Sequence, residues 1–266
     1  MTTLAEEGYL ASEASGPVVE HLTARYAPWL KELRLLNRSL VEGQFELAVH
    51  PESARELASA ALFVRGLSHV QGGILLLERG MLAPAKALLR CALESAFILG
   101  ACSRDPKTAL SFFDADEVNR KRWVERLAQV KDAATRASVD GAVVHQILAD
   151  ATARIEELGA HELKVRDFAK GADLEDVYLT TYPYLSGAVH SSARDLDQHV
   201  EVGADGRVVA LLTTPVVEGL ELPLHIAGEI MGSMGRAINQ VFPTPRLGDW
   251  EARLEALAKL KDHRAG

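Results

Sequence analysis

Three charged residues interrupt the most apolar stretch of the chain, Gly80 to Cys102: Lys86, Arg90 and Glu94. They recur every fourth residue, a step that drifts by only about 40° around a helix, so they form one stripe. Buried ions persist only when paired, because an unpaired one costs several kcal/mol to desolvate. Arg90 and Glu94 are therefore expected to be at least half-buried. They should bond to each other or to polar groups of another helix. A second stripe, Tyr182, Ser186, His190 and Arg194, repeats the four-residue step, with Tyr184 close beside it. The simpler alternatives are a solvated face for the first stripe and satisfied core polar groups for the second.

A histidine one turn after a serine supplies the residue types of a base beside a nucleophile. No third orienting residue and no Gly-x-Ser-x-Gly elbow accompanies Ser186 and His190, which weighs against hydrolysis. Were the constellation catalytic, His190 would be the acid/base, with Arg90 or Arg194 on a phosphate and Glu94 beside them. All-helical ribonucleases of the HEPN class carry an Arg followed, after about four to six residues, by a His. Arg194 with His199 and Arg154 with His161 both fit, but about two such matches arise by chance in a chain with nine histidines. The histidines include no His-x-x-x-His and no Glu-x-x-His pair, and Gly159 separates Glu157 from His161. Neither metal nor cofactor is expected.

Apolar spacing supplies the elements that must hold these groups. Leu22, Tyr26, Leu30, Leu33 and Leu36 mark a helix over residues 17–47. His50-Pro51-Glu52 opens a second, which runs to Arg79 and ends at Gly80. A third covers Leu82 to Cys102 and stops at Asp105-Pro106. Its three charges, each costing about 2.5–3.5 kcal/mol in lipid, mark it as a core helix rather than a membrane span. The fourth, Lys107 to Lys131, has an inward stripe of Phe112, Asp116, Asn119, Trp123, Leu127 and Val130. Asp116 and Asn119 stand there where Leu or Ala would be expected, so a third helix sends polar groups inward.

A fifth helix spans 139–158, residues 160–172 are an ambiguous connection, and a sixth covers 174–196, with Pro183 as a kink or a start. The period then changes to two around Ala204-Asp205-Gly206, giving a β-hairpin near residues 199–212. A helix over 216–242 and a short one over 249–260 complete the chain. The expected fold is all-α: a bundle-like single domain over 17–262 with about seven or eight helices, the hairpin, and a frayed tail over 1–16.

The basic run Arg120 to Arg126 reads as a solvated face with Trp123 turned inward, a phosphate or RNA contact being the alternative. Gly228, Gly232 and Gly235 form a small-residue face for close helix contact, and a homodimer is one use of it. A formal net charge of −8 disfavours bulk nucleic-acid binding. Cys91 and Cys102 share a helix roughly 16 Å apart, beyond disulfide reach. With no signal-like N-terminus, they suit the cytoplasm. No membrane partner is expected.

Two segments carry a resemblance. One is Leu88-Leu89-Arg90-Cys91-Ala92-Leu93-Glu94-Ser95-Ala96. The other is Tyr184-Leu185-Ser186-Gly187-Ala188-Val189-His190-Ser191-Ser192, followed by the Asp-Gly hairpin. Together they resemble the bacterial helical family called domain of unknown function 5677, over roughly residues 50 to 240. The resemblance implies no activity, but it does imply that Arg90, Glu94, Tyr184, Ser186 and His190 belong to one constellation. The expected function is a cytoplasmic binding or accessory protein, in a bacterial stress or defence setting, with a small molecule or a protein as partner. Its polar cluster would comprise Arg90, Glu94, Asp116, Asn119, Tyr184, Ser186 and His190. The alternative is a HEPN-like ribonuclease or other phosphoryl-handling enzyme using His190.

Overall fold

The computed structural model describes residues 8–10, 12–130, 141–190, 193–212, 215–243 and 250–262. The fold is all-α with one two-stranded antiparallel hairpin. In chain order the helices are α1 (Ser12–Arg25), α2 (Ala27–Gln44), α3 (Ala54–Leu77), α4 (Leu82–Arg104), α5 (Pro106–Ala128), α6 (Gly141–Leu158), α7 (Val165–Gly171), α8 (Glu175–Val189) and α9 (Ala193–Leu196). Strands β1 (Val200–Val202) and β2 (Val208–Leu211) follow, then α10 (Glu221–Val241) and α11 (Trp250–Asp262).

Local chemistry sets the boundaries. Ser53 caps α3 by accepting from the Glu56 amide at 3.3 Å, while the Glu56 carboxylate reaches back to the His50 amide at 2.8 Å. Asp105 ends α4 in extended geometry and caps α5, where Pro106 fills the first position. Between α3 and α4 the chain turns on Gly80 at φ +69°, and a Cβ there would lie 2.7 Å from the Pro215 side chain. That close approach lets the Gly80 carbonyl accept from the Val216 amide at 2.9 Å and fixes the entry to α10.

The antiparallel pair α3 and α4 forms the centre, and α10 packs across both. α4 also packs against α5, α7 and α8, so it is covered on most sides. Leu89, Leu93, Phe97 and Leu99 of α4 are fully buried with Phe63, Leu67 and Val70 of α3 and Ile230, Met231 and Met234 of α10. α2 and α11 close the far side of α10. Gly228 and Gly232 face Leu257 and Leu254 of α11, so the chain's own C-terminal helix takes up part of the small-residue face. Among the described residues α3 is long and apolar enough to cross a membrane, and 44% of its most apolar window is buried in the protein.

The boundaries differ from the sequence reading in several places. Helix 17–47 is two helices, broken at Tyr26 with Pro28 at the start of the second, and in the expected tail a 3-10 turn stands at Gly8–Leu10 and α-helix begins at Ser12. Residues 160–172 contain α7. The helix expected over 174–196 divides into α8 and α9, and α10 begins at Glu221, not near 216. The expected ends at Lys131, Val139 and Asp249 lie outside the described residues.

The inward stripe expected on α5 holds at Phe112, which packs partly buried against the core, and fails at Asp116, Asn119 and Trp123. Ala109, Ala115 and Val124 are buried, whereas Asp116, Asn119 and Trp123 are exposed. Close helix approach buries Ala109 and Ala115 here, and Trp123 takes the solvent side.

Candidate functional site

The α4 stripe is answered residue by residue from α8 and α9. Arg90 donates from Nε to Ser186 Oγ at 3.1 Å and from Nη2 to the Tyr182 hydroxyl at 2.7 Å. The Tyr182 hydroxyl donates onward to Glu94 Oε1 at 2.8 Å, and Arg90 Nη2 lies 2.8 Å from the same oxygen. Arg90, Tyr182 and Glu94 thus close a three-membered ring of charge-assisted bonds, with Ser186 on its flank. The arrangement follows from antiparallel helices: Tyr182 and Ser186, one turn apart on α8, face Glu94 and Arg90, one turn apart on α4.

Two turns of α4 carry the contact further. Lys86 Nζ lies 2.5 Å from Asp195 Oδ1 of α9 and 4.8 Å from the Tyr184 ring centroid. The apolar side of the contact is aromatic. Tyr178 and Tyr182 stack at 5.0 Å, and Phe97 of α4 sits 6.3 Å from each.

Burial sets the electrostatics. The Arg90 and Glu94 side chains are 17% and 26% exposed, enough shielding for their attraction to matter. Burial opposes the Arg90 charge, but the Tyr182 hydrogen bond and the Glu94 carboxylate outweigh it and raise its pKa. Burial, then the bond to Glu94, pushes the Tyr182 hydroxyl above the usual phenol range. Tyr184 is raised too, by burial and then by Asp195. All three shifts favour the protonated forms that the hydrogen bonds use.

Of the residues the sequence proposed for one cluster, the structure joins Arg90, Glu94 and Ser186. Tyr184 lies beside Lys86 and Asp195, one step along the same contact. Asp116 and Asn119 stand on the exposed face of α5 and do not join it. His190 is exposed at the C-cap of α8, where its amide bonds to the Ser186 carbonyl. The helix ends there, so the four-residue stripe stops carrying side chains inward after Ser186. The Arg194 side chain lies outside the described residues.

Tyr182 belonged to the second stripe, but its position between Arg90 and Glu94 was not foreseen. Asp195 was missed altogether, because it lies on α9, outside the four-residue stripe of α8. The one readable signal was that buried Lys86 needed an anion.

Among the described residues no three His, Cys, Asp or Glu side chains gather as a metal site requires. Cys91 and Cys102 are free thiols, and Cys102 is pushed up to about 12, by burial first and then by Asp105. The site offers fixed hydrogen bonds and two ion pairs, Arg90–Glu94 and Lys86–Asp195.

Neither the curated proteins nor the solved structures contain a match to this chain. The model of a family of unknown function, DUF5677, matches residues 56–207, from α3 through the hairpin turn, and so takes in the whole α4–α8 contact. That match extends over more than half of the sequence: the chain belongs to the DUF5677 family.

Proposed function

We propose that this chain is a binding or accessory protein of the bacterial cytoplasm, in which the α4–α8 cluster fixes a surface and transforms no substrate. The observation that carries this reading is the closed ring of Arg90, Tyr182 and Glu94. Arg90 Nη2 and the Tyr182 hydroxyl converge on one Glu94 oxygen and bond to each other, which suits a register-fixing role better than proton transfer. The ring and the Lys86–Asp195 pair hold α8 and α9 on the central helix, and the hairpin follows directly. Two free thiols on one helix agree with a reducing compartment.

Thermal unfolding of Glu94→Ala tests the reading. Losing the shared acceptor leaves the shielded Arg90 charge without its carboxylate and the Tyr182 hydroxyl without its acceptor, a cost of about 2 kcal/mol. For a chain of this length that lowers Tm by about 4–8 °C. An unchanged Tm would remove the structural role.

The exposure of His190 favours a second reading, a HEPN-like ribonuclease or other phosphoryl-handling enzyme with His190 as acid/base. It requires RNA cleavage by the wild type that His190→Ala abolishes while Tm stays constant. Absence of cleavage by the wild type would end it.

A further inference from the structure

The basic run on α5 has no part in the α4–α8 contact, and its aromatic residue faces solvent. Trp123 is 61% exposed. Arg120 and Arg126 lie three residues to either side of it and are also exposed, so the two positions neighbour Trp123 on the helix surface. Asn119 is exposed one turn before Trp123.

The local charge runs against that of the chain. Residues 119–126 hold Arg120, Lys121, Arg122 and Arg126 against Glu125 alone, within a chain of net charge −8. Arg122 is committed to Glu162 at 2.6 Å, and Arg120 lies 3.5 Å from Glu117. Among the described residues no carboxylate lies within ion-pair distance of Lys121 or Arg126. Asp116 is exposed one turn before Arg120 and bounds the basic surface on its N-terminal side.

An exposed indole between cations suits a planar ring that carries negative charge beside it. We propose that Trp123, Arg120, Arg126 and Asn119 form a docking surface for single-stranded RNA. An unpaired base stacks on the indole, and the adjoining phosphates meet Arg126 and Arg120. Asn119 both donates and accepts, which suits the ribose 2′-hydroxyl. Duplexes hide their base faces and present a denser phosphate array to an acidic protein, so single strands are selected. This surface involves none of the α4–α8 cluster and stands whether that cluster is a lock or a site.

The test is fluorescence anisotropy of a short fluorescein-labelled oligo(A) RNA with the full chain at low salt. Trp123→Ala should weaken binding about tenfold, and Trp123→Phe should recover most of the loss. Arg126→Glu should weaken it further and flatten its salt dependence. Trp123 is exposed, so far-UV circular dichroism and Tm should not change in these variants. No binding by the wild type, or equal binding by Trp123→Ala, would overturn the proposal. Equal affinity for the matching oligo(dA) would overturn the assignment to RNA. Self-association that Trp123→Ala abolishes, with RNA binding untouched, would make the face a protein interface instead.

Discussion

Lys86 of α4 and Asp195 of α9 meet at 2.5 Å with only 10% and 8% of their side chains exposed, and this ion pair joins residues more than one hundred positions apart. A pair so shielded is costly to break from one side, because the charge left behind has lost its water. Lys86→Met keeps the aliphatic length and removes the ammonium. It should cost about 3 kcal/mol, read as a fall of about 6–12 °C in Tm. A loss below about 1 kcal/mol would mean that water or its other contacts hold the Asp195 carboxylate without Lys86.

Gly80 gives a separate test of how α10 is placed. Its φ of +69° disfavours any side chain, and an added Cβ would also lie 2.8 Å from the Val216 carbonyl oxygen. Gly206 in the hairpin has φ +77° with open space around it. Gly206→Ala should therefore cost about 1 kcal/mol, the conformational penalty alone. Gly80→Ala should cost about 2 kcal/mol or more. Urea midpoints measure both; equal losses would show that the contact with 215–216 yields freely.

Alkaline pH should weaken the fold. The Cys102 thiol is raised from 9.0 to about 12 by burial, so the unfolded chain loses this proton at a lower pH than the folded one. The stability involved is fully present below pH 9 and is lost as pH rises towards about 12. Tyr182 and Tyr184, raised from 10.0, act in the same direction. Urea midpoints taken from pH 8 upward should decline above about pH 9, less steeply in Cys102→Ala. A flat profile through pH 11 would contradict the burial of these groups.

The α4 stripe was legible because charges on an apolar helix are conspicuous and must find partners. Its partner helix was legible too, since Tyr182 and Ser186 keep the same spacing as Arg90 and Glu94. What the sequence concealed was where helices end. Helix α8 stops at Val189, so His190 turns to solvent and Asp195, outside any stripe, reaches Lys86. On α5, Phe112 packs against the core as its type suggests, but Trp123 does not, and the fully buried positions are Ala109, Ala115 and Val124. Trp123, assigned to the interior, is the residue whose exposure matters most.

Whether the polar ring holds α8 on α4 is measured most directly by a double-mutant cycle on Tyr182 and Glu94 in urea. Tyr182→Phe removes the shared hydroxyl and keeps the stack on Tyr178, and Glu94→Gln keeps the shape and removes the charge. A coupling energy of about 1 kcal/mol or more is expected between them. Effects that add within about 0.3 kcal/mol would leave the two residues uncoupled and contradict the ring as a unit that holds α8.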